Sequence, residues 1–160
     1  MKNLNTIISI VILVAIVVLV GIFTGKGSDS EEIVSIESNS SIIIENDAHD
    51  FGDIDIFGGK VSNDYVLINT GNEDVIVTSA TTSCGCTEGE IEGESFGMHF
   101  GMSSEVTIPA NSSVTVTGTF DPLAHGPDAV GPVTRMLMLQ TNSTVTPELE
   151  VRLIANVIKN

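Results

Sequence analysis

Tryptophan is absent from this 160-residue chain, tyrosine occurs once, and there are only two cysteines. Those two, Cys84 and Cys86, stand one residue apart, so no disulfide within the chain can tie distant segments together. Basic residues are scarce as well, with six Lys and Arg against 21 Asp and Glu and a formal net charge of −15. Beyond Lys26 only Lys60, Arg135, Arg152 and Lys159 are basic, while every acidic residue lies at or after Asp29. Such a surface repels phosphate backbones and anionic headgroups, which excludes nucleic acid as a partner. Solubility is the plain reading of the acidity. Catalytic signatures are missing too: no Gly-x-Ser-x-Gly, no phosphate loop and no His-Glu-x-x-His. The carboxylates are too scattered for any two to be paired as acid and base, so a non-enzymatic protein is expected. Asn39, Asn111 and Asn142 each open an Asn-x-Ser/Thr triplet, as chance provides in a Ser/Thr-rich chain.

What the chain does have begins with an apolar run. Ile7 to Phe23 is uncharged and interrupted only by Ser9. At about 1.5 Å rise per residue a helix of this length crosses a slightly thin bilayer. The exit, Gly21 to Lys26, lacks an Ala-x-Ala cleavage pattern, and no cysteine lies near it to carry a lipid. Residues 1–24 are therefore read as an uncleaved signal anchor. Lys2 and the α-amino group stay in the cytoplasm and the rest faces outward, as a single-pass membrane protein. Residues 25–41, small, acidic and serine-rich, read as a tether.

From residue 42 onward the vocabulary is Val, Ile, Thr, Ser, Asn and Gly, which favours strands and turns. Ile42–Glu45, His49–Ile54, Val61–Asn69, Val75–Thr81, Val106–Pro109, Val114–Phe120, Val133–Thr141 and Glu148–Ile158 read as short strands, with turn residues between them. Val61, Tyr65 and Leu67 share one face, and Val114, Val116, Gly118 and Phe120 alternate with threonines. His49 reads as structural, and Met136 and Met138, on one strand face, as core. No helical period appears after Gly25. The expectation is an all-β domain over 42–160: an immunoglobulin-like antiparallel β-sandwich of about seven strands, preceded by one N-terminal transmembrane helix. The immunoglobulin Cys…Trp…Cys signature is not present.

Several blocks stand in a recognisable order: Asp50-Phe51-Gly52-Asp53-Ile54, Val66 to Asn72 with Asn69-Thr70-Gly71, Ser83-Cys84-Gly85-Cys86-Thr87, Ile108-Pro109 and Phe120-Asp121-Pro122. Together they resemble the domain-of-unknown-function family numbered 1573, bacterial extracytoplasmic proteins with an immunoglobulin-like sandwich related to ASPM/SPD-2/Hydin-type modules. The resemblance spans about Ile44 to Val157 and implies a fold and a compartment rather than an activity. Pro109-Ala110 departs from the family's usual Pro-Gly, and the segment after Thr87 is longer than usual.

That longer segment, read as a loop without secondary structure of its own, carries Met98, His99 and Met102. Thiolate, imidazole and thioether together suit Cu(I), with Zn²⁺ served by the Cys and His subset. The candidate metal ligands are Cys84, Cys86, Met98, His99 and Met102, with His125 from the second irregular loop, 122–132. Plainer readings stand beside these: Phe96, Met98, Phe100 and Met102 alternating to cover an open face of the sandwich, and His125 as an ordinary loop histidine. The cysteine pair is a local structural disulfide, a metal pair or a redox pair. A Cys-Gly-Cys disulfide closes a very small ring and should be easily reduced. Against thiol–disulfide exchange stand the missing thioredoxin-type context and the lack of a basic residue near the pair in sequence. Three functions remain in view: first a membrane-anchored extracytoplasmic scaffold that binds another extracytoplasmic protein, then a metal-binding protein handling copper before zinc, and last a thiol–disulfide exchanger using Cys84-Gly85-Cys86.

Overall fold

The computed structural model describes residues 36–160. The expected anchor lies outside them, and among the described residues no helix is long and apolar enough to cross a membrane. Ten strands follow one another: β1 (Ile42–Ile44), β2 (Ala48–Asp55), β3 (Val61–Asn69), β4 (Val75–Thr82), β5 (Thr87–Ile91), β6 (Glu94–Gly97), β7 (Val106–Ile108), β8 (Ser113–Phe120), β9 (Gly131–Thr141) and β10 (Glu148–Ile158). They form two five-stranded sheets, ordered β1-β3-β8-β5-β6 and β2-β10-β9-β4-β7. All strand pairings are antiparallel except β2 with β10, which is parallel. An extra residue in β2 between Asp50 and Asp53 shifts that register, with Gly52 at φ +66° making the bulge.

Period-2 alternation builds the core. Tyr65 and Leu67 from β3 and Val114, Val116 and Phe120 from β8 face Leu137, Leu139, Val151, Leu153 and Val157 from β9 and β10. Fully burying each such side chain is worth about 1.5–3 kcal/mol, so one continuous interior carries most of the stability. Buried Tyr65 keeps a partner by donating its hydroxyl to the Arg152 carbonyl at 2.7 Å, and burial pushes its ionisation up to about 12.

Two expectations are corrected by this register. The segment after Thr87 is no bare loop: Thr87, Gly89 and Ile91 point inward while Glu88 and Glu90 point out, making β5 a half-buried strand. Glu92 and Gly93, both at positive φ (49° and 85°), turn it back into β6. Phe96 then lies buried over Gly89 on the opposite strand, where a side chain on Gly89 would collide with the ring. Of the four alternating apolar residues only Phe96 is fully buried; Met98 and Phe100 are half exposed, and Met102 packs at the margin of the core. On β9 the inward row is Leu137 and Leu139, so Met136 and Met138 are half-buried on the outer face rather than core. His49 is structural, its ring packed edge-on against Phe51 with centroids 4.5 Å apart.

The Asn69-Thr70-Gly71 block turns out to be architectural. Asn69 is wholly buried, donates its amide to the Glu73 and Ile108 carbonyls at 2.9 and 3.0 Å, and accepts from Gly71 N–H at 3.0 Å. One side chain therefore closes the β3–β4 turn and clips it to β7. Ser40 packs on Gly71, and Ser38 and Ser40 are buried against the turn at Ser143, which donates its hydroxyl to the Ser40 carbonyl at 2.6 Å. Asn142 uses its side chain internally, accepting from Ile76 N–H and donating to the Ile36 carbonyl. Removing the Asn69 amide leaves three backbone groups without this partner, the Ile108 carbonyl buried and the Glu73 carbonyl and Gly71 N–H partly so, at about 1 kcal/mol net for each bond. Asn69→Ala is expected to lower the unfolding free energy by about 3 kcal/mol in urea denaturation, and an unchanged midpoint would refute this role.

Candidate functional site

Topology, not sequence proximity, assembles the site. β4 belongs to one sheet and β5 to the other, so Ser83 to Cys86 is the crossing between sheets. β8 and β9 likewise lie in different sheets, and residues 121–130 form the second crossing. Thr87, the first residue of β5, pairs with Phe120, the last of β8. Both crossings therefore leave from the same end of the sandwich, and the Asp121 N–H donates to the Cys86 carbonyl at 2.9 Å.

The first crossing is held by its neighbours. Thr82 is buried and its hydroxyl reaches both the Cys84 and Thr87 carbonyls, at 3.0 and 2.9 Å. Ser83 exchanges bonds with Met136: its N–H donates to the Met136 carbonyl and its Oγ accepts from Met136 N–H. Cys84 and Cys86 are joined as a disulfide with Cα atoms 5.2 Å apart. The two sulfurs differ in setting. Cys84 is partly open to solvent, whereas Cys86 is 3% exposed and part of the core cluster. Gly85 is not in the left-handed region, so the ring closes without special backbone freedom. A side chain added there would meet Nε2 of His99 at 3.6 Å, which places that imidazole beside the crossing.

The second crossing is shaped by Asp121, whose carboxylate accepts from Leu123 N–H at 2.9 Å, and by Gly126 at φ +93°. Lys159 pins its far side through Asp128 at 2.9 Å. Between these ties His125 is presented with Nε2 3.1 Å from Cys84 Sγ. The donor atoms of Cys84, Cys86 and His125 all lie within 4.8 Å of one another. Of the six residues singled out from sequence, these three meet directly and His99 stands next to Gly85; Met98 lies at the surface and Met102 packs toward the core.

Arg135 is the residue that sequence adjacency concealed. It lies 49 positions from Cys86, yet its Nε–H donates to Cys86 Sγ at 3.1 Å, with the guanidinium 5.8 Å from the Phe120 ring centroid. The signal for it is periodicity: Arg135 occupies the same strand face as Leu137 and Leu139, so it points between the sheets at their end. Lys60, Arg152 and Lys159 each pair with a carboxylate, whereas Arg135, among the described residues, pairs with none. In so acidic a domain that selectivity directs one positive charge at one sulfur.

A carboxylate clamp closes the Met-His segment after β6. Glu94 accepts from the N–H and hydroxyl groups of Ser103 and Ser104, with both hydroxyls at 2.6 Å. Those bonds, chiefly from Ser103 and then Ser104, hold its ionisation down to about 2.

These elements define the class: an all-β, immunoglobulin-like sandwich with a cysteine-bearing crossing between its sheets. Residues 42–157 match the family described as a protein of unknown function, DUF1573, and the chain belongs to that family. No curated protein sequence matches it. Among solved structures it is similar to a protein of unknown function from Porphyromonas gingivalis W83, with TM-score 0.59 and 12% identity over 80% of this chain and 51% of that one. The chain thus spans about half the length of that structure. The Vibrio cholerae VesB protease aligns with TM-score 0.50 and 13% identity, over 74% of this chain and 32% of that one. The ASH/PapD-like domain 7 of human CEP192 aligns with TM-score 0.48 and 16% identity, over 78% and 90%. At these identities the likeness concerns fold alone.

The clamp has a testable pH dependence. A carboxyl group lowered in the folded state stabilises the fold above its unfolded value, and that contribution is lost as pH falls through the folded one. The Ser103 and Ser104 amide resonances are expected to hold constant through mild acid and move only near pH 2. A midpoint at the ordinary glutamate value, or no difference in Glu94→Gln, would refute the clamp.

Proposed function

We propose that this protein is a membrane-anchored extracytoplasmic binding module whose ligand, when the cysteine pair is reduced, is a soft metal ion, Cu(I) before Zn²⁺. One observation carries the reading: two sulfurs and an imidazole nitrogen from two separate crossings converge within 4.8 Å of one another. Cu(I) accepts two thiolates with or without an added nitrogen, a set that Cys84, Cys86 and His125 supply; tetrahedral Zn²⁺ needs a fourth donor. His99 stands beside Gly85 but outside that convergent group, so the three donors match Cu(I) better than Zn²⁺. Two thiolates and Cu(I) leave one negative charge, which the Arg135 guanidinium complements at Cys86. Met98 and Met102 are further soft donors on the segment that Glu94 clamps. The uncharged run Ile7 to Phe23 supports the membrane anchor, and a cysteine pair joined as a disulfide suits an oxidising compartment outside the cytoplasm.

A second reading, a scaffold for another extracytoplasmic protein, rests on the absence of any catalytic constellation and makes the disulfide a local clip. The two part on metal. The full chain in detergent, fully reduced and offered Cu(I) against a competing chelator, is expected to retain about one ion per chain. Cys84→Ser and Cys86→Ser abolish retention, and His125→Ala weakens it by about tenfold, equivalent to about 1.4 kcal/mol. No retention, or retention indifferent to both cysteine variants, would sink the metal reading and leave the scaffold.

A further inference from the structure

We infer that the Cys84–Cys86 disulfide is a directional thiol–disulfide exchange site: an external thiol attacks Cys84, and Cys86 is the sulfur that leaves. This does not rest on the metal reading, although reduction is what would expose both sulfurs to an ion.

Access, and the place where negative charge develops, set the direction. Exchange needs a thiolate to approach one sulfur in line with the bond being broken, while the other sulfur departs with the bonding electron pair. Cys86 is buried beneath the strand ends, so approach to it is blocked; Cys84 is partly open at the surface. Attack at Cys84 therefore drives the electron pair onto Cys86. Arg135 already donates its Nε–H to that sulfur at 3.1 Å, and Thr87 Oγ1 lies 3.7 Å from it. A donor fixed in advance where charge appears lowers the barrier without reorganising. Beside the entered sulfur, His125 Nε2 stands 3.1 Å from Cys84 Sγ. The two sulfurs thus differ in access and in the cation fixed beside one of them, which is what a direction requires.

The electron count closes with an external dithiol as the reductant. Its first thiolate forms a sulfur–sulfur bond to Cys84 as the Cys84–Cys86 bond breaks, leaving Cys86 as a thiolate bonded to Arg135. Its second thiolate then attacks its own sulfur in the mixed disulfide, releasing Cys84 as the second thiolate. The donor leaves as a disulfide, two electrons lighter, and the domain keeps two reduced cysteines. Run backward, the same steps pass the disulfide to a partner dithiol. The substrate class is an exposed thiol pair, small or on a protein.

The test uses the full disulfide-form chain in detergent, with glutathione as the probe thiol. The reaction is quenched in acid at early times, free thiols are alkylated, and the products are mapped by mass spectrometry. The expected result is glutathione on Cys84 with the alkyl group on Cys86, and reduction about tenfold or more slower in Arg135→Leu than in the parent chain. Glutathione on Cys86, an even distribution, or an unchanged rate in Arg135→Leu would overturn the proposal. Should Arg135→Leu lose its β-sheet circular dichroism, Arg135→Gln, which keeps a polar side chain without the charge, replaces it. A rate in Arg135→Gln equal to the parent's overturns the proposal in the same way. Cu(I) retention by the reduced chain is measured in parallel; exchange without retention defeats only the metal reading, and retention without selective exchange defeats only this one.

Discussion

The constraint on which everything else depends is that each sheet has one apolar face and only the other sheet to hide it. The inward rows of β8 and β10 sit near the middle of their sheets, with Val116 and Val151 completely removed from solvent. Once those rows face one another, strand phase is fixed throughout, because a one-residue slip would turn a whole row to water. Where the chain must change phase it does so by irregularity. β4 shifts register between Val77 and Ser79, so that Val75 and Val77 face inward before the shift and Ala80 and Thr82 after it. That shift sets the direction in which Thr82 enters the cysteine crossing, with its hydroxyl buried and bonded to both ends of the turn.

A sandwich also has ends, where strands leave one sheet for the other and backbone groups lose their ladder partners. At the Cys84 end those groups are satisfied between the two crossings and by side chains such as Ser83 and Thr82. The consequence is chemical as well as structural. Atoms from positions 84, 86, 125 and 135 are brought into one small volume that is open on the Cys84 side and closed on the Cys86 side. The opposite treatment appears at the Asn69 turn, where a buried amide, Ser40 and Ser143 fill the space with hydrogen bonds internal to the fold. One crossing region presents reactive atoms; the Asn69 and Ser143 turns consume their polar groups in bonding.

Much of this is legible in residue order. The strands from Val61 to Asn69 and Val114 to Phe120 announce themselves by alternation, and the cysteine pair by its rarity. The β5–β6 hairpin does not, because its alternation is carried by glycine and glutamate rather than by large apolar residues, and its turn is Glu-Gly instead of Asn-Gly. The phase of β9 escapes hydropathy because methionine and leucine are both apolar there, so either row could face in. Arg135 decides it: in the row it shares with Leu137 and Leu139 it lies just past the level where β4 ends, Thr82 being paired with Leu137, and there its charge reaches the gap between the sheets.

That phase bears directly on chemistry. With Met136 and Met138 placed inward, Arg135 would point to solvent, the cysteine pair would lack a cation, and exchange would be the weakest of the three uses of the pair. With Leu137 and Leu139 inward, the guanidinium stands over Phe120 and beside Cys86. An aromatic face and a sulfur are both soft, polarisable partners, and neither cancels the charge as a carboxylate does. In a domain with so many acidic side chains, keeping one cation clear of them is a matter of placement: in the inward row, between Val133 and Leu137, Arg135 meets none among the described residues. The core that hides leucine thus also reserves a positive charge for the sulfur on which negative charge forms, whether that sulfur leaves a disulfide or holds a metal.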